Sequence, residues 1–263
     1  MSTVLSHLED GVLTLTLNRP EALNALNLAM IEDLRAATAR AEHDEAVGAV
    51  VLRGGEHFMA GGDLKWFHSQ LALPPAERQA LFEQTIAAVH ATTLQVRRMG
   101  KPVVASVSGA AAGFGLSLML ACDLAVAADN AYFTLAYCHI GLSPDGGATW
   151  FLPRAVGAKR AAEIALLGDR FDAAQAKEWG LINRVVPAAE LEAESAKLAR
   201  RLAAGPRQAL ARTKALLQAS SGNSLPEQLF AEQGNFAACS VHPDFAEGLG
   251  AFLEKRKPAF GQK

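Results

Sequence analysis

The chain of 263 residues has few of the features that mark several protein classes. Its three cysteines, Cys122, Cys138 and Cys239, are an odd number without metal-ligand spacing. This argues against a disulfide framework or a zinc site and favours reduced thiols. Positive charge is not in excess either, since the net charge is −2 and the pI is near 6.4. We therefore predict no binding to nucleic acid or to an anionic membrane.

Neither a secretory leader nor a membrane span is predicted. Residues 1–10 contain acidic side chains and no apolar stretch, unlike a signal peptide. Pro102–Cys122 is a run of 21 uncharged residues, but glycines at 109, 113 and 115 interrupt it. This pattern favours a buried strand, a turn and a buried helix over a membrane span. Together with the reduced cysteines, these features predict a cytoplasmic protein.

Strand and helix patterns alternate along the first part of the chain. Three short apolar runs predict buried strands at Val47–Leu52, Val103–Val107 and Leu124–Ala127. Residues 27–43 and about 76–99 have the spacing of helices, so βαβ units on a mainly parallel sheet are expected. From Gly157 onward the pattern is mostly helical. We predict an α/β core over residues 1–195 and a helical region over 196–263.

Two segments rich in small residues, Phe58–Asp63 and Ser108–Gly115, lie about fifty residues apart. Small side chains let a ligand approach the main chain, and the second segment leads into an apolar helix whose first N–H groups are unpaired. If the two segments converge, their N–H groups can form an oxyanion hole that stabilises an enolate or alkoxide. Each segment alone is also typical of a tight turn between packed elements. Their combination predicts a site.

Six groups of residues follow one another along the chain. They are residues 18–20 with 22–26, Phe58–Asp63, Gly100–Val103, Ser108–Asp123, Ile140–Gly147 and Phe252–Arg256. In this order they resemble the crotonase family, also called the enoyl-CoA hydratase/isomerase superfamily, over nearly the full length. The resemblance implies an α/β fold, a β-β-α superhelix of crotonase type with a C-terminal helical trimerisation region. It also implies an enzyme acting on acyl-coenzyme A thioesters, as a homotrimer or a dimer of trimers.

The resemblance also assigns candidate site residues. The oxyanion donors it implies are the backbone N–H groups of Ala60 and Phe114. The remaining contacts with the thioester and its coenzyme A fall on Ala22, Leu23, Gly62, Asp63, Leu64, Gly113, Ser117 and Tyr137, and on Phe252 and Lys255 from a neighbouring subunit. The last two are equally compatible with apolar packing and a solvated helix face. No metal-ligand motif is present, and no cofactor is expected beyond the coenzyme A of the substrate.

The residues restrict which reaction is expected. Hydratases of this family use two glutamates, and this chain has Ser117 and Tyr137 in their places. Neither hydroxyl ionises near neutral pH. A carboxylate is found instead at Asp145, where phenylacetate-pathway and dienoyl-CoA isomerases carry a catalytic acid. We therefore expect an isomerase in which Asp145 moves a proton and shifts the double bond of a 3-enoyl thioester to the 2-position.

Three alternatives stay open at this point. A hydratase would need another acid–base pair. A dehalogenase acting on halobenzoyl thioesters would use Asp145 as a nucleophile and His90 to activate water, although that branch has tryptophan where this chain has Tyr137. A role in acyl-CoA binding without catalysis would leave Asp145 as an ordinary turn residue.

Overall fold

The computed structural model describes residues 2–261, which form two β-sheets flanked by helices. The strands of the larger sheet are β1 Val4–Glu9, β2 Val12–Leu17, β3 Ala49–Arg53, β4 Val103–Val107, β6 Leu124–Ala128 and β9 Arg184–Val186. They lie in the order β1-β2-β3-β4-β6-β9. Only the β1–β2 pair is antiparallel among these neighbours. The predicted mainly parallel sheet is therefore confirmed.

A smaller sheet lies at the point where the two small-residue segments meet. Its strands are β5 Ala110–Ala112, β7 Tyr132–Thr134 and β8 Phe171–Asp172. β5 consists of three alanines, and an isolated bridge joins Ala111 to Met59 of the first segment. The short side chains of β5 let another stretch of main chain lie directly against it.

Ten α-helices are present in residues 2–261. Their bounds are α1 Leu28–His43, α2 Leu64–Ser69, α3 Pro75–Arg98, α4 Phe114–Ala121, α5 Ala148–Leu167, α6 Ala173–Glu178, α7 Leu191–Ala203, α8 Arg207–Ala219, α9 Leu225–Ser240 and α10 Pro243–Leu253. The predicted helices at 27–43 and 76–99 agree with α1 and α3 to within one residue. The Asn27 side chain caps α1 by accepting from the Met30 N–H at 2.9 Å.

The uncharged run Pro102–Cys122 contains the predicted buried strand, β4, and the predicted buried helix, α4, and the short strand β5, which was not predicted, lies between them. Nearly all of α4 is buried in the main apolar core, beside residues of the sheet, α1 and α3. This burial explains why the run carries no charge. No helix within residues 2–261 is both long and apolar enough to cross a membrane.

The C-terminal helices attach to the core through a buried ion pair and leave apolar surface exposed. Lys214 of α8 lies 2.7 Å from the Asp123 carboxylate and also donates to the carbonyl of Lys101 at 3.0 Å. Phe230 and Phe236 of α9 are nevertheless more than three-quarters exposed. The predicted domain boundary after residue 195 lies within α7, which packs against the main sheet. The division into two domains stays a prediction.

Candidate active site

The two small-residue segments lie side by side, as predicted. The Met59 N–H donates to the Ala110 carbonyl, and the Ala112 N–H donates to the Met59 carbonyl, both at 2.9 Å. Gly61 and Gly113 have positive φ, +96° and +51°. A Cβ added to Gly61 would lie 3.2 Å from the Ala112 oxygen. Glycine is therefore required here by backbone conformation and by close approach together.

Several backbone N–H groups at this junction are free to bind a ligand. Those of Gly61, Gly62 and Phe114 have no hydrogen-bond acceptor within residues 2–261. Phe114 is the first residue of α4, so its N–H belongs to the positive end of that helix. The Ala60 N–H, by contrast, donates to the Leu23 carbonyl at 3.0 Å. The prediction of Ala60 as an oxyanion donor is therefore wrong, because its hydrogen is already paired.

All three of these residues with free N–H groups line one cavity of about 290 Å³. The cavity wall is mainly apolar and is formed by α1, α2, α3 and the start of α4. Trp66 and Phe67 of α2 line it, and Ile86 and Val89 of α3 lie on the same wall. An apolar pocket with few polar groups is typical of a small-molecule site.

Asp145 supplies the carboxylate among the described residues that line this cavity. Burial raises the pKa of this carboxyl above its usual range, while the Tyr137 hydrogen bond acts in the opposite direction. The Tyr137 hydroxyl donates to Asp145 Oδ1 at 2.5 Å. Burial and the neighbouring carboxylate raise the pKa of Tyr137, so that it stays a neutral donor. Tyr137 therefore contacts the carboxylate directly besides lining the pocket.

The main chain of Asp145 is also held. Ser117 donates its hydroxyl to the Asp145 carbonyl at 2.9 Å, and His90 accepts the Gly146 N–H at 3.2 Å. Ser117 is fully buried and is not among the residues that line the cavity. The prediction that Ser117 lines the acyl pocket is wrong, since its hydroxyl points to the turn behind the carboxylate.

The other predicted residues of the first half of the chain surround the cavity or its rim. Gly62, Leu64 and Gly113 line the cavity. Asp63 caps α2 through the Lys65 and Trp66 N–H groups and pairs with Arg19 at 3.1 Å. Its side chain therefore holds the start of α2 beside Gly62.

Three predicted contacts lie at the surface. Leu23, next to Ala22, is nearly half exposed, and its φ of +52° turns its carbonyl toward Ala60. Phe252, near the end of α10, is 80% exposed, and Lys255 follows that helix. Neither Phe252 nor Lys255 lines the cavity of its own chain. The contact of these two residues with a ligand stays a prediction.

Comparison with known proteins identifies the class to which this fold and site belong. The enoyl-CoA hydratase/isomerase family model matches residues 7–263. A crystal structure of an enoyl-CoA hydratase from Polaromonas sp. JS666 superposes with a TM-score of 0.93 at 39% identity, covering 98% of this chain and 99% of the other. The chain belongs to the enoyl-CoA hydratase/isomerase family, and it has the crotonase fold with C-terminal helices. It is an enzyme of that family.

Two relatives illustrate the range of reactions within the family. The 1,2-epoxyphenylacetyl-CoA isomerase of Escherichia coli is 38% identical over 264 residues, covering 100% of both chains. The 4-chlorobenzoyl coenzyme A dehalogenase-2 of an Arthrobacter species is also 38% identical, over 94% of this chain and 88% of its own length. Because both relatives have the same identity, overall similarity does not select the reaction. The site has to do so.

Proposed function

We propose that this enzyme is an enoyl-CoA isomerase that converts a 3-enoyl-CoA thioester into its 2-enoyl isomer. The observation that supports this proposal is one carboxylate, Asp145, in the same apolar cavity as the free N–H groups of Gly62 and Phe114. A shift of a double bond needs one group that removes a proton and returns it, together with donors that stabilise the enolate between these steps.

The proposed reaction begins with the thioester carbonyl oxygen between the N–H groups of Gly62 and Phe114. Asp145 removes a proton from C2, and the electron pair of the broken C–H bond moves into a dienolate whose negative charge lies on the thioester oxygen. The protonated Asp145 then gives the same proton to C4, and the double bond becomes conjugated with the carbonyl. A carboxyl with a raised pKa suits both steps, because it is a stronger base when ionised and still gives up its proton.

The same geometry argues against the alternatives. Hydration needs an acid and a base that flank a water molecule, and the described cavity lining has one carboxylate. The dehalogenase route needs His90 to activate water. His90 Nε2 already accepts the Gly146 N–H, and His90 is not among the residues that line the cavity. The E. coli relative is named as an isomerase of an epoxyphenylacetyl-CoA, and on this likeness we include a role in phenylacetate catabolism in the proposal.

A direct test is turnover with matched thioesters. We expect purified enzyme to isomerise 3-enoyl-CoA substrates and to hydrate 2-enoyl-CoA substrates roughly a hundredfold more slowly or worse, because the described cavity lining offers one carboxylate where hydration by this family uses two. Isomerisation is followed by the absorbance of the conjugated thioester, and hydration by its loss. Efficient hydration without isomerisation would contradict the proposal.

We further propose that the active form is a homotrimer or a dimer of trimers, with Phe252 and Lys255 contacting the coenzyme A of a neighbouring subunit. The C-terminal helices support this. Phe230 and Phe236 are 78% and 76% exposed, and Phe252 is 80% exposed. Large apolar side chains exposed to this extent on neighbouring helices favour an interface.

Sedimentation velocity at micromolar concentration should therefore give a trimer or larger species. The double variant Phe230→Glu/Phe236→Glu should shift it toward monomer, because two carboxylates would be buried at the interface. Glu substitution at Leu8, an exposed residue of β1, serves as the control and should leave the assembly intact. A wild-type protein that is monomeric and fully active would contradict the proposal.

Tyr137→Phe should move the acid limb of kcat/KM to higher pH. The Tyr137 hydrogen bond stabilises the ionised Asp145 and so lowers its pKa. Without that bond the pKa of Asp145 rises further, and a higher pH is needed to ionise the base. The measurement is the pH profile of kcat/KM for both proteins. If kcat/KM of the variant is lower by the same factor at every pH, with no shift of the acid limb, Tyr137 does not lower the pKa of Asp145.

A further inference from the structure

We infer that Ser117 and His90 are positioning residues, which hold the main chain of Asp145 and Gly146 at a fixed place relative to the oxyanion donor Phe114. The inference rests on the proposed function and extends it. It assigns a role to a serine that replaces a family glutamate and to a histidine outside the cavity. Neither residue contacts the substrate in this assignment.

Helix α4 connects the two halves of the site. Phe114 begins the helix and presents a free N–H, while Ser117 lies three residues further on the same helix. Residues at this spacing share one face, separated by about one turn of 5.4 Å. Ser117 is fully buried and donates to the Asp145 carbonyl at 2.9 Å. One rigid helical turn therefore links the oxyanion donor to the main chain of the base.

Gly146 packs directly on the same turn of α4. A Cβ at this position would lie 2.7 Å from Phe114 Cδ2 and 2.8 Å from Ser117 Cβ. Its φ is +61°, which also favours glycine. The segment after Asp145 therefore lies directly against the side chains of Phe114 and Ser117 on α4. Its position can follow that of α4 closely.

His90 holds the turn from the opposite side. It lies on α3 and accepts the buried Gly146 N–H at 3.2 Å through Nε2. An imidazole can accept only through an unprotonated nitrogen, so this bond requires the neutral ring with its hydrogen on Nδ1. The ring lines a second cavity of about 750 Å³ together with Gly146 and Gly147. His90 therefore contacts the turn from outside the substrate cavity.

Position matters because Asp145 must reach two carbon atoms of one dienolate in turn. The carboxylate oxygen that takes the proton from C2 has to return it at C4 while the carbonyl stays on α4. A misplacement of about 1 Å can cost a hundredfold in rate. Loosening the turn should therefore reduce kcat and leave binding of the thioester largely unchanged.

Ser117→Ala tests the contact from α4. We expect kcat to fall roughly ten- to hundredfold, with KM and the Kd of a non-isomerisable thioester within twofold of wild type. Ser106→Ala is the matched control, since Ser106 is also buried and loses one hydroxyl partner, Ser195 at 2.9 Å, far from the site. It should lower the melting temperature by a similar amount and leave kcat unchanged. Equal kcat in the two variants would overturn the role of Ser117.

His90 is tested by a pair of variants. His90→Leu removes the acceptor, and His90→Gln supplies an amide oxygen that can accept the same N–H. We expect a loss of kcat in the leucine variant and partial or full recovery with glutamine. Thr93→Val is the control. Thr93 is a buried residue of α3, three positions after His90, and its hydroxyl donates to the Val89 carbonyl. This variant should leave kcat unchanged. Equal loss with leucine and glutamine would show that His90 acts by another route.

Two readouts separate this inference from the proposed function. Hydrogen–deuterium exchange over residues 142–150 needs no turnover, and it should be faster in Ser117→Ala and His90→Leu than in wild type and the two controls. Unchanged exchange would overturn the inference even if isomerisation is confirmed. If no 3-enoyl thioester is isomerised, the proposed function fails, but hydrogen–deuterium exchange still tests whether Ser117 and His90 hold the Asp145 turn. A covalent adduct on Asp145, with halide release, when His90→Gln meets a 4-chlorobenzoyl thioester would overturn both assignments.

Discussion

Replacing Asp145 by asparagine should reduce isomerisation by about a thousand- to ten-thousandfold while the thioester still binds. General acid–base catalysis contributes roughly a hundred- to ten-thousandfold, and the loss should lie at the upper end when a single group performs both proton transfers. Asparagine has nearly the same shape. Its amide oxygen can still accept from Tyr137, and its main chain keeps the contact with Ser117. The substitution therefore removes the base and preserves the turn.

The measurement is kcat for wild type and variant, with the Kd of a non-isomerisable thioester measured in parallel. Asp10→Asn, at an exposed turn between β1 and β2, is the control for changing one carboxylate to an amide. Residual turnover above about a tenth of wild type would exclude Asp145 as the main acid and base. A large loss of affinity with normal kcat would instead make Asp145 a binding group.

Much of the fold could be predicted because its pattern is local. A long uncharged run interrupted by glycines predicted β4, the turn and α4, and the burial of α4 explains that composition. Helical spacing predicted α1 and α3 closely. The smaller sheet was not predicted, since β5 is three alanines and β8 has two residues. Such strands have no periodic pattern, and their pairing depends on partners distant in sequence.

The site could be predicted only to the level of the segment. Three successive residues, Ala60, Gly61 and Gly62, are small, and nothing local tells which N–H is already paired. The Leu23 carbonyl decides it by accepting from Ala60, and Leu23 lies far away in the sequence. The roles of Ser117 and Tyr137 likewise depend on where the Asp145 turn lies in space. Hydrogen bonds across the fold are the part that a single sequence leaves undetermined.

Phe114→Pro should reduce kcat by about a hundred- to thousandfold relative to Phe114→Ala. Proline lacks the N–H, and removing one oxyanion donor typically has a cost of this size. Position 114 suits the test, because it is the first residue of α4, where proline is well tolerated and no intrahelical bond is lost.

The alanine variant is the necessary comparison, because both substitutions remove a buried aromatic ring that packs against Gly146. Both should therefore lose similar stability and loosen the Asp145 turn to a similar degree, and only proline removes the hydrogen-bond donor. Circular dichroism and melting temperature establish that the two proteins are comparably folded before kcat is compared. Equal turnover in two folded variants would exclude the Phe114 N–H from the oxyanion hole and leave stabilisation of the dienolate to Gly62.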